Sequence, residues 1–493
     1  GGLSVRALAF AAGAFLAPAA ALAAAFAGVE VPPPPAPRPV FDTHWGVKVE
    51  DPYRYLENTA DPEVQKLMRA QADAAQAILD RIPGRDKLLA RVREIDDATP
   101  AVVGAVQRDD KGVLYYLKRD AKANQLKLYT RAASGGEETL LVDPEAESKA
   151  AGKPHAINGF TVSPDGRRVA FVMAVGGAEI GALRVIDTKT REEVQPRTDR
   201  VRGGQVGWLP DSSGFFYGRL AEGYEKRPRA ERFMDVLSYL RRLDAPAADK
   251  AVFGPGRHPE VDIDRTSSGA LLATRGAGLV AALVYHGVDR NRSLFVAEQE
   301  GVLEGKPRWR RVFDRADQVN AVAIGGGWLY AKSAKDAPRF KVVRLALPGA
   351  DPARAATVIP AGDEVIAEIA AAKEGLYVTT RRGPAKTLTR FAHEAGAKAE
   401  AVPMPFEGNI DLVDADGDTP GLVLTLGGWT RAAKHYLLAG AGASATPLAL
   451  APAGRYDEPA GIVSREVVVK SHDGVEGPVS IISRADIRLD GRS

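Results

Sequence analysis

The sequence predicts a mainly β protein: a seven-bladed β-propeller over residues 100–455, preceded by a helical segment over residues 41–99. After residue 100 a unit of strand, turn and strand returns, with turns rich in Asp, Gly, Asn or Pro. An apolar marker recurs at intervals of 46 to 57 residues, the spacing of four-stranded blades. The chain's 50 glycines and 33 prolines agree with many turns and short strands. The seven markers are Leu114, Val169, Phe215, Leu271, Trp328, Leu376 and Leu422.

Composition excludes several classes of protein. The chain has 493 residues, enough for two or three domains. Its 66 Lys and Arg nearly balance 63 Asp and Glu, and a net charge of +3 gives no basis for binding nucleic acid. Apolar residues at 45% and charged residues at 26% are typical of globular proteins and exclude a multi-span membrane protein. The absence of cysteine excludes disulfides, thiolate metal sites and a cysteine nucleophile.

Residues 1–27 have the features of a signal peptide. Arg6 precedes an apolar run over residues 7–26, and the tripeptide AFA at residues 25–27 has the small-x-small pattern that signal peptidase recognises. We therefore expect cleavage before Gly28, a periplasmic or secreted protein, and no stable membrane association afterwards. A membrane span is the alternative, but the run barely reaches the ~20 residues required and contains a proline.

The segments between the signal peptide and the propeller are a linker and two helices. Residues 28–40 are proline-rich, and such runs form extended spacers. Asp61 and Pro62 suit the N-cap and first turn of a helix that ends at the Pro-Gly pair at residues 83–84. A shorter helix should follow, up to the Thr-Pro pair at residues 99–100. The first helix carries one apolar stripe at spacings of three and four: Val64, Leu67, Met68, Ala75, Ile78, Leu79 and Ile82.

The seven histidines are spaced too irregularly for a metal site, and no H-E-x-x-H motif occurs. We expect each to have a structural or surface role, with His472 in a turn. The seven are His44, His155, His258, His286, His393, His435 and His472.

Three further motifs have ordinary structural interpretations. Residues 276–281 match the dinucleotide pattern G-x-G-x-x-A, but a strand-like segment follows where a helix is required, which favours a hairpin turn. Residues 414–418 (DADGD) are similar to a calcium loop, but Thr419 and Thr425 replace the required Gly and Glu, which favours a solvated inter-blade turn. A basic cluster is interleaved with acidic residues, which favours a solvated face over a docking patch for acidic substrates. The cluster comprises Lys226, Arg227, Arg229, Arg232, Arg241 and Arg242.

Residues 456–493 leave the blade pattern. Residues 465–484 predict two strands joined by a turn at His472, Asp473 and Gly474. A lone hairpin is marginally stable in water. We therefore expect this hairpin to belong to a sheet whose other strands lie outside this sequence.

Residues 41–57 (FDTHWGVKVEDPYRYLE) resemble the opening signature of the prolyl oligopeptidase family of serine peptidases. The resemblance extends over nearly everything after the proline-rich linker. It includes IPGR at residue 82, NQ at 124, SPDG at 163, DAP at 336, PFEG at 405, SHDG at 471 and LDG at 489.

The resemblance implies an architecture. In that family the N-terminal helices pack on an α/β-hydrolase domain, and a seven-bladed propeller lies over its active site. The chain then returns to build the hydrolase sheet. By this resemblance residues 41–99 and 456–493 belong to the hydrolase domain, and the second segment is its first hairpin.

The resemblance also implies a function. The complete protein is expected to hydrolyse short peptides after proline through an acyl-enzyme, with a Ser nucleophile, a His base and an Asp that orients the His. The propeller would restrict which substrates reach the cavity beneath it. No cofactor and no metal are implied.

No catalytic residue is expected within this sequence. The nucleophile of such an enzyme lies on a G-x-S-x-G elbow. The nearest string, residues 442–446, lacks the second glycine and falls between predicted blade strands. In the family the triad follows the final hairpin, so the resemblance places it beyond Ser493. We therefore expect this chain, which also lacks an initiator Met, to be an inactive piece of a longer protein.

Two alternatives remain open. A sister oligopeptidase that cleaves after basic residues shares the opening signature, and the side chains that select the substrate residue lie mostly in the domain beyond this sequence. A secreted propeller that binds a ligand without catalysis is the alternative from another class, although the N-terminal helices would then have no partner for their apolar stripe. The sequence does not indicate an oligomeric state.

Overall fold

The computed structural model describes residues 25–244, 248–488 and 490–491. Most of the predicted signal peptide therefore lies outside the described residues. The chain divides into two compact units, with the boundary between Asp96 and Asp97.

The first unit contains two β-ribbons and two helices. Ala25–Phe26 pairs with Val29–Glu30, and Val40–His44 pairs with Val47–Asp51. A 3-10 helix follows at Arg54–Glu57. The prediction that residues 41–99 are helical is therefore wrong for its first part, since residues 40–51 form a hairpin.

The hairpin forms because its turn residues suit a tight connection. Trp45 and Gly46 both have positive φ, at 49° and 82°, as a two-residue turn of the type I′ class requires. Arg54 donates to Asp42 on one strand and to Asp51 on the other, which fastens the hairpin to the 3-10 helix. A fully exposed Trp45 at the tip shows that turn geometry, and not burial, determines this element.

The two predicted helices are present. Helix α1 runs over Pro62–Asp80, and its N-cap Asp61 accepts a hydrogen bond from the Glu63 backbone at 2.8 Å. Helix α2 runs over Arg85–Asp97. Val64 is the one residue of the predicted stripe that is buried, whereas Ala75 is exposed and its neighbour Ala74, outside the stripe, is buried. Six other large apolar side chains of this region are exposed: Met68, Leu79, Ile82, Leu88, Val92 and Ile95.

The second unit is a ring of seven four-stranded antiparallel blades, which confirms the predicted propeller. In every blade the four strands follow one another along the chain and in the sheet. Blade 1 comprises Ala101–Arg108, Leu114–Asp120, Lys127–Arg131 and Thr139–Val142; blade 2 His155–Val162, Arg168–Val175, Ile180–Asp187 and Glu193–Arg202; blade 3 Gly207–Trp208, Gly214–Arg219, Leu237–Arg242 and Lys250–Phe253; blade 4 Ser267–Ala273, Leu279–His286, Arg292–Glu298 and Arg310–Phe313; blade 5 Val319–Gly325, Trp328–Ser333, Lys341–Ala346 and Ala356–Ile359; blade 6 Val365–Ala372, Gly375–Arg381, Lys386–Phe391 and Ala399–Val402; blade 7 Asn409–Ala415, Leu422–Gly428, Arg431–Leu438 and Thr446–Pro447.

Short helices decorate the ring without interrupting it. Helix α3, Pro144–Ala151, lies between blades 1 and 2, and helix α4, Gln299–Glu304, lies between the last two strands of blade 4. Neither was predicted. The remaining 3-10 turns are Tyr224–Lys226, Arg229–Glu231, Arg315–Asp317 and Pro352–Arg354.

The core of the ring lies between blades. Seven clusters of buried apolar residues occur in the described part of the chain, and each takes its members from two neighbouring blades. The cluster between blades 1 and 2, for example, joins Leu117 and Leu128 to Phe160 and Phe171. Because both faces of each sheet are covered in this way, the hydrophobic effect favours a closed ring over separate sheets.

The seam, meaning the contact between blade 7 and blade 1, is closed by side chains. All four strands of blade 7 come from one continuous segment, and none is contributed by blade 1. Val106 and Leu114 of blade 1 pack with Val423 of blade 7. Arg131 of blade 1 also donates to Leu448 O at 2.6 Å.

A two-stranded hairpin follows the ring. Ile462–Lys470 pairs with Glu476–Arg484, in agreement with the strand, turn and strand predicted there. Among the described residues these two strands pair with no third strand. Val468 is 70% exposed and Val475 is 62% exposed, so much of the hairpin's apolar surface is uncovered.

Candidate functional site

The ring's axis is the candidate functional site because a propeller can act on a ligand through its channel. The first strand of each blade lies innermost, since the first strands of blades 5, 6, 7 and 1 contact one another in succession. The ring therefore has two ends. We call one the turn end, because it is formed by the turns that join first and second strands: residues 109–113, 163–167, 209–213, 274–278, 326–327, 373–374 and 416–421. The opposite end, where each first strand begins, is the strand-start end.

An ion-pair cluster lies at the turn end. Arg275 of blade 4 donates two hydrogen bonds to Asp110 of blade 1, at 2.7 and 2.9 Å. Its Nε lies 3.5 Å from Asp418 Oδ2 of blade 7. Hydrogen bonding to Asp110 raises the pKa of the Arg275 guanidinium, which stays charged. Burial, with help from neighbouring Asp416, raises the pKa of the Asp418 carboxyl.

The polypeptide backbone also closes in at the turn end. Gly325 of blade 5 forms a bridge with Gly417 of blade 7, although blade 6 lies between those blades in the ring. A Cβ on Gly417 would overlap Ile324 O and lie 2.7 Å from Gly325 Cα, so the approach requires glycine. Asp110 N donates to Pro164 O at 2.8 Å, joining blades 1 and 2. Turns from most of the ring thus touch one another at this end.

The DADGD segment, residues 414–418, is not a solvated inter-blade turn. Asp414 lies in the first strand of blade 7, and the turn that follows lies within that blade. The Asp414 carboxylate accepts from Arg108 Nε at 2.8 Å, and only 5% of the Arg108 side chain is exposed. Burial raises the pKa of Asp414, and Arg108 opposes that rise. In the ranges that the structure describes, no group of three or more His, Asp or Glu is placed to hold a metal ion.

The strand-start end carries a cleft of about 1240 Å³ beside blades 6 and 7. Residues 458–466, which lead into the final hairpin, form one wall. Arg431 lies over the Phe406 ring at 4.5 Å and pairs with Glu458 at 3.0 Å. The nearby Trp429 is 60% exposed. The two ends of the ring are therefore chemically unlike.

His286 is the described histidine whose surroundings are closest to those of a catalytic base. Its Nδ1 lies 2.9 Å from Ser267 Oγ and its Nε2 lies 2.8 Å from Ser293 Oγ. Ser267 is only 1% exposed, and the second partner is a serine and not an aspartate, so the arrangement is structural. Burial lowers the pKa of His286. The other six lie apart: His44 and His472 at hairpin ends, His155 in blade 2, His258 beside Val252, His393 beside Tyr330, and His435 in blade 7.

The remaining motifs have structural positions. Residues 276–281 form a hairpin turn and the start of a strand in blade 4, as predicted. Residues 442–445 lie between the last two strands of blade 7, and Thr446 begins the last one. In the basic cluster Arg241 corrects the prediction of a solvated face, because it is 5% exposed and pairs with Asp249 at 2.5 Å. Arg227 of that cluster pairs with Asp235 at 3.0 Å.

Sequence reasoning missed Arg275 and Asp110. Each lies in a short turn of ordinary composition, and 165 residues separate Arg275 from Asp110. The acidic run at residues 414–418 was the only feature of this group that the sequence marked. A contact across a ring produces no local periodicity in the sequence from which it could be predicted.

No helix among the described residues is both long enough and apolar enough to cross a membrane.

Seven four-stranded blades around an axis, with ion pairs that cross one end, define the class as a β-propeller domain. A family model described as "Prolyl oligopeptidase, N-terminal beta-propeller domain" matches residues 32–431. The chain therefore belongs to the prolyl oligopeptidase family, which confirms the resemblance seen in its motifs.

The names of similar proteins agree with this family assignment. Prolyl oligopeptidase A of Galerina marginata (strain CBS 339.88) is 24% identical over 394 residues, which are 73% of this chain and 51% of that protein. A prolyl endopeptidase of Elizabethkingia meningoseptica is 23% identical over 469 residues, which are 92% of this chain and 61% of that protein. The chain thus spans between about half and two thirds of these relatives.

Solved structures share the fold. A structure from a structural and mechanistic analysis of two prolyl endopeptidases has a TM-score of 0.75 at 23% identity, and the match covers 92% of this chain and 65% of that one. Prolyl oligopeptidase B from Galerina marginata, bound to a 25mer macrocyclization substrate, has a TM-score of 0.75 at 20% identity, with coverages of 93% and 66%.

Proposed function

We propose that the complete protein is a serine endopeptidase that hydrolyses short peptides after proline, and that the propeller restricts access to its active site. The observation that carries the proposal is the family match over residues 32–431. Several relatives are named as prolyl endopeptidases or oligopeptidases, and one solved relative is bound to a peptide substrate.

The chemistry would be acyl transfer. A serine attacks the carbonyl carbon of the peptide bond, a histidine takes its proton, and the leaving amine then receives that proton. We propose that these residues lie in a hydrolase domain encoded beyond residue 493, since this sequence contains no G-x-S-x-G elbow. Under this proposal the sequence supplies no catalytic side chain of its own.

The ring supports a restricting role through its geometry. Contacts across the turn end join blades that are not neighbours in the ring, so folded proteins have no passage there. Exclusion of water and of bulky substrates is a recognised contribution of closed sites to catalysis.

The decisive experiment compares this chain with the product of the extended reading frame. The chain alone should not release the chromophore from a proline-containing chromogenic peptide, whereas the extended protein should, and a serine-directed covalent inhibitor should abolish that activity. A matched peptide with Lys or Arg in place of Pro tests the alternative of a sister oligopeptidase. If the extended protein hydrolyses neither peptide, the proposal is wrong, and a ligand-binding propeller is favoured.

A further inference from the structure

Arg275 makes a contact that neighbouring blades do not explain. It lies in the turn end of blade 4, and both of its hydrogen bonds reach Asp110 in the turn end of blade 1. Blades 2 and 3 separate these blades on one side of the ring, and blades 5 to 7 separate them on the other. The two turns can therefore meet only across the axis.

The contact is braced from several directions. Asp418 of blade 7 lies 3.5 Å from Arg275 Nε, so one guanidinium joins three blades. The blade 7 turn is itself fixed on its other side, where Lys373 N of blade 6 donates to Thr419 O at 3.1 Å. Two parallel hydrogen bonds between guanidinium and carboxylate hold both groups in one geometry. An isolated surface ion pair contributes little to stability, but this pair is one link in a network across the ring.

We propose that Arg275 is a bar across the turn end of the channel, and that it prevents a peptide chain from entering or leaving the ring at that end. Under this proposal Arg275 excludes peptides at the turn end, and peptides that pass through the ring are admitted only at the strand-start end. The part of this inference that concerns peptides rests on the proposed function; the closure itself does not.

The charges at the bar make it sensitive to salt. Asp110, Asp416 and Asp418 surround a single guanidinium, and the side chains of Asp110 and Asp418 are 40% and 51% exposed. Ions screen exposed pairs of this kind. The bar should therefore loosen as ionic strength rises.

The natural absence of cysteine allows a direct test. Leu272 lies on the first strand of blade 4, three residues before Arg275, and its side chain is 49% exposed. In a Leu272→Cys chain the thiol is the single site for maleimides, and no peptidase activity is needed. The rate of reaction with a polyethylene-glycol maleimide is compared with the rate for N-ethylmaleimide, which is small enough to pass a narrow opening.

Adding Arg275→Ala should raise the rate of the polymer reaction by about tenfold or more, as expected for the loss of hydrogen bonds between charged groups. The rate of the N-ethylmaleimide reaction should change little. Asp110→Asn removes the charge with little change of shape and should act in the same direction. The matched control is Arg265→Ala at the strand-start end of the same blade. It removes a similar ion pair, in which Arg265 lies 2.7 Å from Asp235.

The opposite end of the ring is the same in the Arg275 and Asp110 variants as in the parent chain, so a change in rate reports the turn end alone. Equal polymer rates in the Arg275→Ala, Arg265→Ala and parent chains would overturn the bar, whether or not the extended protein is a peptidase. If the maleimide rates show the bar but the extended protein does not cleave after proline, this inference stands and the proposed function is wrong.

Discussion

At the scale of single residues, the seam depends on a buried charge pair. Arg108 of blade 1 pairs with Asp414 of blade 7, and the same guanidinium donates to Pro420 O and Gly421 O at 2.9 and 3.0 Å. Replacing both charges by apolar groups is often harmless in proteins, whereas removal of one partner leaves an uncompensated buried charge. Removal of either charge alone should therefore cost more stability than replacement of both.

We predict that Arg108→Ala lowers the free energy of unfolding by about 3 to 5 kcal/mol, because the Asp414 carboxylate loses its buried partner. The pKa of Asp414 is already raised in the folded protein and should rise further without Arg108. A carboxyl whose folded pKa is raised is uncharged at low pH, and its burial then costs little. As pH rises through that pKa the carboxyl becomes a buried charge and the folded state loses stability. The loss of stability in Arg108→Ala should therefore be larger at pH 8 than at pH 5. Denaturant unfolding at both pH values measures it.

The control for this prediction is Arg315→Ala, which removes a pair with Asp289 in which 52% of the arginine side chain is exposed. Its cost should stay below about 1 kcal/mol at either pH. A similar cost for both variants, or a pH-independent cost for Arg108→Ala, would show that the seam pair is not energetically buried.

Gly417 provides a second prediction at this scale. Gly417→Ala should destabilise the ring by roughly 1 to 3 kcal/mol, because the new methyl group meets the backbone of blade 5 and not a movable side chain. Thermal unfolding measures the loss. Gly362→Ala is the matched control, since a Cβ there meets nothing within 4 Å, and it should leave the melting temperature nearly unchanged. Equal shifts would mean that the bridge yields easily.

At the scale of elements, the blades protect themselves and the flanking segments do not. Each blade is covered on both faces by its neighbours. By contrast, Leu88 in helix α2 is 67% exposed and Val468 in the final hairpin is 70% exposed. Contiguous exposed apolar surface is rare on monomers, and under the proposed function the hydrolase domain would cover these segments.

We predict that limited proteolysis of this chain cuts first between residues 31 and 100 and beyond residue 460, and that a ring fragment survives. The reason is that local opening is easiest where few apolar contacts must be broken. Mass spectrometry of the time course identifies the cuts. Early cleavage within the blades while the N-terminal helices stay intact would contradict this division of the chain.

Elements also show how far sequence reasoning reaches. Six of the seven markers lie in the second strand of their blades, as Leu114 and Val169 do, because that strand is buried on both faces and reads as a long apolar run. Leu271 lies instead in the first strand of blade 4, because that strand contains an apolar run of its own, ALLA. The predicted number of seven blades is still correct, because each blade contains one marker.

The hairpin at residues 40–51 and the bar at Arg275 were missed for different reasons. The hairpin is exposed on most of its surface, its apolar alternation is confined to the short segment Val47–Asp51, and its turn is set by backbone geometry at Trp45 and Gly46. The bar depends on three turns that are distant in sequence and meet only after the ring has closed. Periodicity reports local packing and carries no information about such contacts.

At the scale of the whole molecule, the chain's route to its compartment is testable. We predict export and a mature N-terminus near Gly28. Cleavage there would separate Ala25–Phe26 from its partner Val29–Glu30 and remove the Ala27 carbonyl that Arg81 contacts at 3.1 Å, so it should precede folding. Cell fractionation and N-terminal sequencing check this. Recovery from the cytosol with the Ala-rich segment intact would refute it.

The continuity of each blade along the chain has a consequence for biosynthesis. Under the predicted export, each completed blade forms a whole sheet as the chain emerges into the compartment where it folds. It needs only the blade before it as a packing surface, so blades 1 to 6 are able to assemble in order of emergence. The seam is different, because Arg108 waits for a partner 306 residues later. Until the last blade has emerged there, one face of blade 1 stays bare, and a chain that stalls in this interval presents an apolar surface for chaperones to cover.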